Sequence, residues 1–171
     1  MRAIPLTVAA LAAALLLTGC DDGGGSGDSK DSSACSLDRV AVHVGPASVA
    51  PSVGDTGQVP VTVTNRDTKC TLDDLPGVAL AQRGINDSLP AEKGAKAQKL
   101  TLGKNEAATF TITYQRGKKG DKLSLDADTL QISLPGSSKT QSFKWSYGSV
   151  AAKGDVGNVI ASVSAFTQAG D

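Results

Sequence analysis

The sequence predicts an all-β fold, an antiparallel β-sandwich of seven to eight short strands. Three observations predict it. Apolar residues alternate with polar ones in short runs rich in Val, Ile, Thr and aromatics. Gly, Pro, Asn and Asp punctuate the chain between those runs. No segment beyond residue 20 sustains the apolar period of a helix.

The chain opens on a different pattern. Arg2 is the only charge before Asp21, and Ile4 to Leu17 is almost entirely Ala, Leu, Val and Ile. That run is about 14 residues, short of the roughly 20 that a spanning helix needs. It fits the apolar region of an export signal over residues 1–19. Leu17-Thr18-Gly19-Cys20 resembles a bacterial lipobox. Small residues at 18 and 19 admit the backbone to a peptidase cleft, and the Cys20 thiol can take a diacylglyceryl group. A lipidated Cys20 anchors the mature chain to the membrane, since each buried CH₂ contributes about 0.8 kcal/mol. Residues 20–33 then form an expected flexible tether, Gly-, Ser- and Asp-rich and without an apolar residue after Cys20. Asp21, Asp22, Asp28 and Asp31 repel anionic headgroups, so attachment rests on the lipid.

The sandwich is expected over residues 34–168. Val40, Val42 and Val44, with Leu37 before them, give a first strand that stops at Gly45-Pro46. Val59, Val61 and Val63 alternate with Pro60, Thr62 and Thr64 in a second, and Pro60 places its start at an edge or bulge. Val78 to Gln82 is a third, followed by a long polar loop from Gly84 to Ala97. Lys99 to Leu102 is a weak strand. Ala108, Phe110, Ile112 and Tyr114 alternate with threonines in the clearest strand of the chain. Arg116 to Lys122 is a basic turn. Leu130, Ile132 and Leu134 make the next strand, stopped by Pro135-Gly136, and Phe143, Trp145 and Tyr147 alternate in another. The last is Asn158 to Phe166, packing mostly through Val159, Ala161, Val163 and Ala165.

Lys+Arg and Asp+Glu both number 17, which leaves no excess charge for a nucleic-acid partner. Aromatics are 4 % of the chain, so the core must be aliphatic. With Cys20 lipidated, Cys35 and Cys70 remain as an even pair in an exported domain, which reads as a disulfide. Closing that loop should contribute roughly 3–4 kcal/mol in the chain-entropy treatment.

The order Cys35, a valine strand, a strand ending at Asn65, Cys70-Thr71-Leu72 and Pro76-Gly77-Val78 resembles domain-of-unknown-function family 4232, found in actinobacterial secreted proteins and lipoproteins. The resemblance covers roughly residues 34 to 166. It implies an immunoglobulin-like sandwich outside the membrane and no particular activity.

The search for chemistry is mostly negative. His43 is the only histidine and lies on a strand face opposite Val42 and Val44, so a catalytic pair has little to build on. Copper would need His, Met or free Cys ligands, which the mature chain nearly lacks. Asp73-Asp74 and Asp126-Ala127-Asp128 could offer oxygens to calcium, although turn carboxylates are commonly just solvated. No cofactor is implied. Two features could contact a partner. Trp145 and Tyr147, with Phe143, form an aromatic stripe that is either a ligand platform or core with Tyr147 at the rim. Arg116, Lys118 and Lys119, with Lys122, form a cationic turn that is either a contact for phosphate-bearing polymers or acidic partners, or a solvated tip. The expected function is a lipid-anchored binding or interaction module on the extracellular face of the cell membrane, contacting an envelope protein or cell-wall polymer. The alternative is a structural or accessory subunit of an envelope complex. An enzyme is the remote third reading.

Overall fold

The computed structural model describes residues 34–170. The signal segment, Cys20 and the tether to residue 33 lie outside the described residues. The chain forms β1 (Val40–Val44), β2 (Thr56–Asn65), β3 (Cys70–Leu72), β4 (Gly77–Gln82), β5 (Ile85–Ser88) and β6 (Leu100–Leu102). It continues with β7 (Ala107–Gln115), β8 (Ser124–Leu125), β9 (Thr129–Ser133), β10 (Gln141–Lys144), β11 (Val150–Ala151), β12 (Ala161–Val163) and β13 (Thr167–Gln168).

The strands build an antiparallel sandwich. One sheet runs β1-β2-β7-β12, with β13 also on β7, and the other runs β10-β9-β4-β5. Among the described residues thirteen strands stand where seven to eight are expected, because several are only two or three residues long. Runs that short carry no readable alternation.

Period-two patterning places the core. Val59, Val61 and Val63 of β2 are fully buried, as are Ile112 of β7, Leu80 of β4, and Leu130 and Ile132 of β9. Phe110 and Phe166 join them, stacked edge-to-face with centroids 5.3 Å apart. Each such side chain contributes about 1.5–3 kcal/mol by leaving water.

β2 and β7 form the spine, paired from Thr56↔Gln115 at one end to Thr64↔Ala107 at the other. Ten extended residues in β2 span roughly 30 Å. The spine therefore separates two poles. At the Asn65 end, β3 pairs with β6, Ala34 bridges Thr71, and Cys35 is bonded to Cys70. This is the disulfide pole. At the Thr56 end lie residues 45–55, residues 116–123 and the small β8–β11 ladder. This is the loop pole.

Pro60 sits in the middle of β2, yet its missing N–H is harmless. Its carbonyl accepts from Gly45 N at 2.8 Å, so that side of the residue faces β1. β1 pairing ends at Val44↔Val61, and the chain bulges outward before Ser48 rejoins Gln58. The ladder needs no donor there.

Two expectations fail. The polar loop after Gly84 contains β5, which forms a hairpin with β4 from Gln82↔Ile85 to Ala79↔Ser88. Arg83 and Gly84 both have positive φ (44° and 89°), as a two-residue hairpin turn of this hand requires. The tail is also not one strand from Asn158 to Phe166. β12 ends at Val163, Ser164 Oγ takes the Thr111 amide at 3.0 Å, and β13 resumes at Thr167. That break turns Val163 and Phe166 both inward, where strict alternation would oppose them. Ala161 and Ala165 are only half-buried.

Candidate interaction surface

At the disulfide pole the side chains look inward. Asn65 is fully buried. Its Nδ2 donates to the carbonyls of Thr68 (2.8 Å), Leu102 (3.0 Å) and Gly103 (3.2 Å), and its Oδ1 accepts from Asp67 N at 3.1 Å. One amide thus closes the end of β2, the lead into β3 and the turn before β7. Leu72 and Leu102 fill the space beneath it. Charges here are paired in part, Arg39 with Asp67, Lys99 with Asp73 and Lys139 with Asp38. A groove of about 460 Å³ between the edges of β1 and β10 carries that last pair, so its cation and acid answer each other.

The loop pole rests on an aromatic stack. Tyr114, Trp145 and Tyr147 meet edge-to-face, with centroids 5.2 and 4.9 Å apart. The Tyr114 hydroxyl donates to Tyr147 O at 2.9 Å and accepts from Ala50 N at 3.4 Å. Its ring lies over Gly57, where a Cβ would sit 2.4 Å from it. The Trp145 indole donates to Gly148 O at 2.7 Å. Burial, and after it the neighbouring Tyr114, raises the Tyr147 phenol above its ordinary pKa.

The structure places the sequence-derived candidates as follows. Trp145 is 3 % exposed and belongs to the core, with Tyr147 half-buried at the rim. The stripe is broken, because β10 stops at Lys144 and the chain turns. Arg116 leaves the cationic turn altogether. Its guanidinium points inward and donates to Ala50 O (3.3 Å) and Tyr147 O (3.1 Å), pinning the two loops to β7. Lys118 and Lys119 are exposed, with Lys122 beside them. His43 is exposed on β1. Asp73 pairs with Lys99 Nζ at 3.3 Å, Asp74 takes the Leu75 amide, and Asp128 takes the Thr129 hydroxyl. Among the described residues no three His, Cys, Asp or Glu side chains gather as a metal site would require.

Sequence reasoning missed the apolar part of this pole. Val49, Val53, Ile85 and Leu123 are the large hydrophobics that the described residues leave exposed. Val49 and Val53 lie between Gly45 and Thr56, Leu123 precedes β8, and Ile85 follows the Arg83-Gly84 turn. All four are at the loop pole. Val53 and Leu123 line one groove of about 360 Å³ with Lys118 and Asp121. The available signal was an apolar residue inside each polar loop.

Residues 35–167 match the family described as "Domain of unknown function (DUF4232)". The chain belongs to this family. No curated protein gives a significant match. The residues that carry the resemblance to DUF4232 now have a physical account. Asn65, Cys70, Leu72 and Val78 are a buried amide knot, a disulfide and two core residues, and Pro76 is buried beside them. In this DUF4232 chain they hold the disulfide pole and the first turn into the second sheet. The loop pole draws on none of them.

Proposed function

We propose that the protein is a lipid-anchored binding module of the cell envelope. Cys20 holds it to the membrane, and the loop pole meets the partner. One observation supports the reading above the others. The described chain begins at the disulfide pole at Ala34, while its exposed large hydrophobic side chains lie at the far end of a roughly 30 Å spine. A module anchored through residue 20 presents that far end away from the lipid.

Site-specific photocrosslinking in cells tests this. A crosslinker at Leu123 should capture an envelope component, and one at Thr101, exposed at the disulfide pole, should capture little. Equal capture from both positions, or capture from position 101 alone, overturns the assignment of the surface. Release of a Cys20→Ala protein from membranes in high salt tests the anchor, and quantitative retention overturns it.

A further inference from the structure

We infer that the loop pole recognises an acidic polypeptide segment carrying an apolar side chain. The inference rests on the binding-module reading above and adds the chemistry of the partner.

The charge argument begins with the loop's own acids. Asp121 Oδ1 accepts from Leu123 N at 2.9 Å, and Asp55 Oδ2 accepts from Ser52 N at 3.0 Å. Asp126 accepts from Gly120 N (3.1 Å to Oδ2) and from Ser149 Oγ at 2.6 Å. These carboxylates are taken up by the amides and hydroxyl that shape the loops. Lys118, Lys119 and Lys122 are exposed and form no ion pair with any described residue. Each of these carboxylates has a partner within the loops, with Asp121 exposed beside Lys118 in the groove, whereas the three lysines have none among the described residues. The disulfide pole also has exposed cations without an ion pair to any described residue, Arg66, Lys69 and Lys104, but none of the large exposed hydrophobics lies beside them.

The apolar argument selects the class of anion. Val53 is 62 % exposed and Leu123 is 50 % exposed, and they share the groove beside Lys118. A polyol-phosphate or sugar-phosphate polymer would satisfy the lysines and leave both side chains wet. An acidic peptide with a Leu, Ile, Val or Phe uses both features at once, with the apolar contact giving affinity and the lysines giving orientation and on-rate. The surface is also built to stay in place. Arg116 ties residues 50 and 147 to the spine, Gly117 N donates to Ser149 O at 2.8 Å, and Gly54 N donates to Arg116 O at 2.8 Å. A held surface loses little conformational entropy on binding.

The test selects a random peptide library on the full chain in detergent and counts which sequences enrich. Enriched peptides should combine Asp or Glu with a large apolar residue. Their affinity should fall about tenfold or more for the Lys118→Glu/Lys119→Glu/Lys122→Glu protein and severalfold for Leu123→Ser. All four positions are exposed, so both variants should melt like the parent. Three outcomes overturn the inference: no enrichment, enriched peptides without acidic residues, or affinities that both variants leave unchanged. Saturable binding of polyphosphate without peptide enrichment would make the pole a polyanion site. That outcome removes the peptide inference and leaves the binding-module reading standing, whereas equal crosslinking from positions 101 and 123 removes both.

Discussion

The two poles of this sandwich are held by different chemistry, and the difference separates scaffold from surface. At the disulfide pole a covalent bond and one buried amide gather β2, β3 and β6, and Asn65, Leu72 and Leu102 are all fully buried. At the loop pole an aromatic stack and an inward guanidinium hold two loops by their carbonyls, and the side chains above them stay exposed. The first arrangement uses side chains to fix backbone and leaves little to vary. The second fixes backbone from below, so the outward residues of the loops are free to change without loss of fold. The motif residues Asn65, Cys70, Leu72 and Val78 all lie with the first arrangement, and recognition is better served by the second.

Ending the chain after Gly157 strikes both poles and should have the largest effect. β12 and β13 run along β7 from Ala161↔Tyr114 to Gln168↔Ala108, so the tail spans the molecule. Val159, Val163 and Phe166 would leave the core, each worth about 1.5–3 kcal/mol. The truncated protein should lose cooperative melting, and an unchanged melting temperature would show that the sandwich closes without the tail. Cys35→Ala/Cys70→Ala confines damage to the disulfide pole. It should lower stability by roughly 3–4 kcal/mol in urea titrations, with near-ultraviolet circular dichroism of the Tyr114–Trp145–Tyr147 stack retained in the folded baseline. Loss of that signal would mean the poles are coupled.

Gly57→Ala is the matching insult to the loop pole. The new methyl would meet the Tyr114 ring at 2.4 Å, and overpacking of this kind costs about 1–3 kcal/mol. Tryptophan emission should shift as the stack moves. Arg116→Ala should cost about 1–2 kcal/mol, because Ala50 O loses the guanidinium and Tyr147 O keeps only the Tyr114 hydroxyl. Lys118→Ala and Lys119→Ala should stay within about 0.5 kcal/mol. Equal effects from all three would return Arg116 to the solvated turn.

The smallest effect is a pH dependence. Folding raises the Tyr147 phenol above its ordinary 10.0. Below that value the folded and unfolded states hold the same proton, and Tyr147 adds no pH dependence. Above it the unfolded chain ionises first, so stability falls as pH rises toward the folded pKa. Tyr147→Phe should remove this component of the fall in alkaline urea titrations. An identical alkaline slope in both proteins would contradict it.

What was legible in the sequence follows from how burial is written. Val59, Val61 and Val63, and Phe110, Ile112 and Tyr114, could be read because one face of a long strand is wholly apolar. β5 could not, because its buried residue is Asp87, which accepts the Val159 amide at 2.9 Å, while Ile85 is exposed. The pattern is inverted there, and only the Arg83-Gly84 turn betrays the hairpin. Arg116 was grouped with its lysine neighbours because spacing along the chain says nothing of a guanidinium that turns back toward Tyr147. The break after Val163 was invisible for a related reason, since it depends on the Ser164 hydroxyl meeting a neighbouring strand. The disulfide was legible because, with Cys20 set apart, an even pair of thiols without further Cys or His ligands nearby has few alternatives.

The Cys35–Cys70 link also determines how the molecule would carry tension. A partner pulling at the loop pole against an anchor before Ala34 loads the protein lengthwise. The crosslink passes that load from residue 35 straight to residue 70, so the short β1 is bypassed. The force falls instead along the β2–β7 ladder, whose hydrogen bonds lie across the pull and must yield together. The domain is wired as a strap in shear. Reducing one covalent bond would put the load first on the five pairs of β1 with β2, a shorter ladder than the nine of β2 with β7.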